Sequence, residues 1–159
     1  MTVSTHETEI TADADVPLVR IVRSFDAPAQ KVFRAHTDPE LIVRWLGPRR
    51  VEMRIDHFDC RTGGSYRYIH SSDGVDYAFR GCFHEVRPSE LIVQTFTFEG
   101  MPDSVALEKL VLQDLGDGRT RLTGTSLVDS FEARDAFIAS GMEDGVRQSY
   151  ERLDELFAG

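Results

Sequence analysis

His70 and Glu108 are the two side chains whose type and setting suit proton transfer. Between Ser65 and His70, strand alternation groups Tyr66, Tyr68 and His70 on one side and Arg67 and Ile69 on the other. Along the following strand Tyr77, Phe79, Gly81 and Phe83 share a side, opposite Arg80 and His84. Aromatic bodies with polar tips suit a flat, mostly apolar ligand carrying a few hydroxyl or carbonyl groups. A histidine set among tyrosines can serve as a general acid or base, or as a hydrogen-bonded core filler. In the segment from Val105 to Leu112, Glu108 groups with Ala106, Leu110 and Leu112. The opposite side, Val105, Leu107 and Val111, is equally apolar, so alternation leaves the inner side open. An inward carboxylate would need a partner, since burying it alone is costly.

Other chemistries find little support. The five histidines and two cysteines lack ligand spacing beyond His57-x-x-Cys60, and no metal site is expected. Gly63-Gly64 and Gly116-Asp117-Gly118 read as hairpin punctuation and not as phosphate loops. Cys82, opposite the aromatic side, reads as a structural thiol. No cofactor is expected.

These residues must be held by a curved sheet. Residues 1–15 show no apolar period and are expected to be a flexible leader, with one domain over 16–159. Pro17–Phe25 reads as a strand. Asp26 and Pro28 signal a short helix, with Asp26 as the expected N-cap, and Thr37-Asp38-Pro39-Glu40 signals a second helix ending near Trp45-Leu46. Six strands follow, over 51–58, 65–70, 75–86, 91–98, 105–115 and 120–127, separated by tight turns that imply antiparallel neighbours. From Phe131 the apolar positions Ile138, Met142, Val146, Tyr150, Leu153 and Phe157 step by three or four, predicting one long amphipathic helix capped by Asp129 or Ser130. The fold class is therefore α+β. Seven antiparallel strands curl around a long C-terminal helix too narrow to fill their concave side.

Length and charge limit the function classes. The 159 residues carry a net charge of −9, with four acids and no base in residues 1–15, and eight acids against three bases in residues 129–159. Without a basic face, nucleic-acid binding is not expected. No apolar run is long enough to span a membrane, and no signal peptide opens the chain, so a reduced cytoplasmic protein is the expectation. A homodimer is left open.

The segment FDAPAQKVFRAHTDPELIVRWLGP (25–48) resembles the entry signature of the family named for the activator of Hsp90 ATPase, a branch of the START/Bet v 1 superfamily. DCRTGGSY (59–66), GCFHEVRP (81–88), GRTRL (118–122) and GMEDGVRQSYERL (141–153) follow in the family's order, so the resemblance covers about residues 17–157. It implies a helix-grip fold with a pocket between sheet and C-terminal helix. It does not imply one activity, because the superfamily includes lipid carriers, cyclases, hydratases and co-chaperone domains. Where the family commonly carries an aromatic after the second glycine of the closing motif, this chain has Val146, which leaves extra room beside the helix. The expected ligand is a small hydrophobic or aromatic, lipid- or polyketide-like molecule lined by Trp45, Tyr66, Tyr68, His70, Tyr77, Phe79, Met142 and Val146, with Trp45 placed by the resemblance. A stress-response or metabolic accessory role would follow. The alternatives are a cyclase- or hydratase-type enzyme using His70 and Glu108 as catalytic residues, and a chaperone-interacting module. The ratio of 16 Arg to 2 Lys fits a bacterial GC-rich genome.

Overall fold

In the computed structural model, which describes residues 6–159, the chain begins with a strand that the sequence reading does not foresee. Glu9–Ala12 (β1) pairs antiparallel with Leu18–Phe25 (β2). The expected leader therefore divides. Residues 1–5 lie outside the described residues, while the Asp13 carboxylate accepts hydrogen bonds from the Asp15 and Val16 amides and closes a turn. Backbone pairing along a sheet edge needs no apolar period, which is why composition misses it. The sheet thus has eight strands in place of the expected seven.

Two short helices carry the chain to the far edge of the sheet. α1 (Ala29–Thr37) starts with Pro28 at the N-cap and no side-chain cap, so Asp26 does not take the expected role; it meets His6 Nε2 at 2.9 Å. α2 (Pro39–Ile42) is capped by Asp38, whose carboxylate accepts from the Glu40 amide. Then β3 (Glu52–Phe58), β4 (Ser65–Ser72), β5 (Val75–Arg87), β6 (Leu91–Phe98), β7 (Ala106–Gly116) and β8 (Arg119–Leu127) meander back until β8 pairs with β2. The spatial order is β1-β2-β8-β7-β6-β5-β4-β3, antiparallel throughout.

The expected single C-terminal helix is two. α3 (Phe131–Ala139), capped by the Ser130 hydroxyl, stops at Ser140, and α4 (Met142–Ala158) starts from Gly141 at φ 89°. The left-handed conformation of Gly141 breaks the helix between them, and nothing approaches the place a Cβ would take. Buried Arg134 ties α3 to the β1–β2 turn by donating to the Asp13 and Leu18 carbonyls.

Eight strands span roughly 34 Å across the sheet, whereas one helix covers about 10 Å. The interior accordingly forms two clusters. One packs Phe25, Leu122, Trp45 and Leu153 beneath α4 and beside α1. The other packs Tyr66, Tyr68, Phe83 and Ile92 on the β4–β6 side. Tyr66 lies across β5 at Gly81, its register partner, and donates to the Thr95 carbonyl of β6 at 2.6 Å. A Cβ on Gly81 would stand 2.6 Å from the Tyr66 hydroxyl oxygen, so only glycine leaves that ring its path.

Candidate functional site

Where the two clusters meet, the sheet and α4 flank a half-open cavity of about 410 Å³. β4 supplies Tyr66, Tyr68 and His70 to its wall; Phe79 of β5 and Phe96 of β6 continue it, and Met142, Val146 and Tyr150 of α4 cover it. The rings form a slab. Tyr66 and Tyr68 stack at 6.0 Å, Tyr68 and Phe79 at 5.3 Å, and Phe79 and Phe96 at 5.4 Å. Nearly parallel rings of this kind make a continuous apolar aromatic wall.

Seven of the eight residues expected to line the pocket stand on the cavity wall: Trp45, Tyr66, Tyr68, His70, Phe79, Met142 and Val146. Trp45 is mostly core, 2% exposed; its indole donates to the Ala35 carbonyl at 2.9 Å, and its ring lies between His36 and Tyr150. Tyr77 does not join the wall. It shares the inner parity of Phe79, but exposure climbs toward the β4–β5 turn, from 3% at Phe83 to 41% at Tyr77 and 49% at Val75. The hairpin end projects past the cavity, and parity alone cannot show where a cover stops.

The structure also resolves the orientation of β7. Ala106 and Leu112 are buried, whereas Val105, Leu107 and Val111 are exposed, so Glu108 faces inward. It sits in a cross-strand row, opposite Gln94 on β6 and Ser126 on β8. The Gln94 amide donates to a Glu108 carboxyl oxygen and to the Tyr66 hydroxyl, each at 3.3 Å. Burial pushes the Glu108 pKa up to about 7, while Ser126 and Gln94 pull the other way. The Ser126 hydroxyl stands beside the carboxyl but outside hydrogen-bonding geometry, leaving its buried oxygen without a partner. Gln94, Ser126 and Phe96 are wall residues that the sequence reading did not single out. The signal was there: Gln94 breaks the apolar series Ile92, Phe96 and Phe98, as a polar residue facing a pocket does.

His70 lies at the other end of the aromatic run, its ring 5.1 Å from that of Tyr68. It stands four positions from Tyr66 along β4, on the order of 13 Å. Its ring rests against the backbone of Gly47, and Nε2 is buried without a hydrogen-bond partner. Burial, with the charge of Arg152 adding to it, lowers its pKa to about 4, so the imidazole is neutral at physiological pH. His36, which also reaches the cavity, is lowered to about 4 by burial alone and bonds the Val32 carbonyl through Nδ1 at 2.7 Å. Among the described residues no three His, Cys, Asp or Glu side chains cluster as a metal site would require, and no helix is long and apolar enough to cross a membrane.

The Activator of Hsp90 ATPase homolog 1-like protein family model matches residues 26–158. Similar solved structures include a protein from Rhodobacter sphaeroides, 25% identical with a TM-score of 0.85, covering 94% of this chain and 97% of that one. A protein from Chromobacterium violaceum is 28% identical with a TM-score of 0.76, covering 87% and 96%. One from Arthrobacter aurescens is 25% identical with a TM-score of 0.84, covering 92% and 88%. No curated protein matches the chain in sequence.

Proposed function

The chain belongs to the Activator of Hsp90 ATPase homolog 1-like family, and from that premise we propose that it binds a small, flat, apolar molecule between its sheet and α4. The observation that carries this reading is the cavity itself. Its volume of about 410 Å³ falls in the range of roughly 300–1,000 Å³ typical of small-molecule sites. Its wall is lined by aromatic side chains with a few polar groups, the composition that holds a ring system and orients it.

A fluorophore such as N-phenyl-1-naphthylamine, apolar and neutral, reports on this directly. Its emission should rise on binding, and a well-matched aromatic ligand near a hundred times its Kd should raise Tm by on the order of 5–10 °C. Val146→Trp should fill the space beside α4 and weaken binding by about tenfold or more while the protein stays folded. Undiminished binding in Val146→Trp, or no stabilisation by any apolar compound, would sink the reading.

A second reading, proton-transfer catalysis of the cyclase or hydratase kind, is favoured by Glu108. A carboxyl with a pKa of about 7 inside an apolar cavity can both give and take a proton near neutrality. His70 supports it less, because the Gly47 backbone lies against its ring and Nε2 is buried.

A further inference from the structure

Glu108 is an inward, half-buried acid without a base. No arginine lines the cavity among the described residues. Its two histidines, His36 and His70, are neutral at physiological pH. The groups that face the carboxyl from the neighbouring strands are the Gln94 amide and the Ser126 hydroxyl, and the titratable groups whose charge it influences are Tyr66 and Tyr68 of β4 and Tyr150 of α4. Tyr66 already donates its proton to the Thr95 carbonyl. Lys109, next along β7, borders the cavity but is exposed and of opposite strand parity, Arg152 of α4 donates to the Gly47 carbonyl at the His70 end, and the inward Arg23 of β2 is held by Asp154. The cavity therefore contains a group able to carry a negative charge, and among the described residues no cation pairs with it.

A ligand that only accepted hydrogen bonds would be served by the Gln94 amide and the Ser126 hydroxyl. Only a carboxyl can oppose a cation in this wall. The rings of Tyr68, Phe79 and Phe96 add apolar wall for the ligand's ring system, and the net charge of −9 favours the approach of cations over anions.

We propose that the cavity selects flat aromatic molecules bearing one protonated amine, which pairs with Glu108 while the ring system lies on the aromatic slab. This rests on the ligand-binding reading above and deepens it. On binding, the amine keeps its proton; Glu108, if protonated, releases its own to solvent, so that an ammonium–carboxylate pair forms.

The test uses a matched pair of probes, 2-(2-naphthyl)ethylamine and 2-(2-naphthyl)ethanol, which share a ring system and differ in charge. Calorimetry on the full chain at pH 8 should show the amine binding at least about tenfold tighter than the alcohol, and Glu108→Gln should bring that ratio close to one. Titrations at pH 6 in buffers of different ionisation enthalpy should show roughly half a proton or more released per amine bound, falling toward zero at pH 8. An alcohol that binds as tightly as the amine, a preference that survives Glu108→Gln, or no proton release at pH 6 would overturn the proposal and leave the apolar site standing. If neither probe binds and N-phenyl-1-naphthylamine is also excluded, the ligand-binding reading fails and takes this one with it.

Discussion

Glu108→Gln should raise the stability of the protein at pH 8 by roughly 3 kcal/mol and leave it nearly unchanged at pH 4.5. A glutamate in the unfolded chain titrates near 4.5, whereas burial raises the folded carboxyl to about 7. Between those values the folded state holds more protons than the unfolded state, so stability falls as pH rises. The protonated carboxyl's contribution is fully present below 4.5 and is lost as pH passes through 7. Glutamine keeps the shape and the neutrality of the protonated acid and carries no such penalty. His36 and His70 run the other way: with folded values lowered to about 4, the stability they contribute is present above 6.5 and lost as pH falls through 4. Both histidines are common to the two proteins, so the difference between their urea-denaturation curves from pH 4.5 to 8.5 isolates Glu108. A difference that stays flat across that range would show a carboxyl paired or solvated in the folded state.

Asp154→Ala should cost roughly 1.5–3 kcal/mol in the same assay. Arg23, on the inner face of β2, is 2% exposed, and its guanidinium meets both carboxylate oxygens of Asp154 on α4, one at 3.0 Å. The Ser24 carbonyl and the Thr8 hydroxyl accept from it as well, and it lies 4.8 Å over the Phe25 ring. Removing Asp154 leaves a buried cation without its counter-charge, and that penalty dominates the cost. Adding Arg23→Met should therefore recover more than half of the loss, since the charge that needed a partner is gone. A single substitution costing under about 1 kcal/mol would mean that Arg23 turns out to water when released. The pair anchors the C-terminal part of α4 against β2, and the cavity depends on that anchor because α4 is its cover.

The legible parts of this fold are those decided by neighbours in sequence. Tyr66, Tyr68 and His70 alternate with Arg67 and Ile69, and the structure places the three rings on one wall. The stripe Met142, Val146, Tyr150 and Leu153 reads as one helix face, and those residues do turn inward. Ser130 and Asp38 announce helix starts because a side-chain oxygen two or three residues ahead of a free amide is a local arrangement. The break at Gly141 was harder to see, since the apolar period runs through it unchanged. A glycine tolerates either conformation, and packing of α3 against β2 and of α4 across the sheet selects the left-handed one.

The sequence by itself determined the fold class, the family, the aromatic face of β4 and the inward stripe of the last helix, because period, turn chemistry and caps act within a few residues. Tertiary structure alone decided that Glu108 faces inward, that Gln94 and Ser126 flank it, that Tyr77 stands outside the wall, and that Glu9–Ala12 extends the sheet. Each of these depends on register between strands and on how far one helix covers eight strands. Such pairings join residues far apart in the chain, and either face of β7 would have satisfied the local alternation equally well.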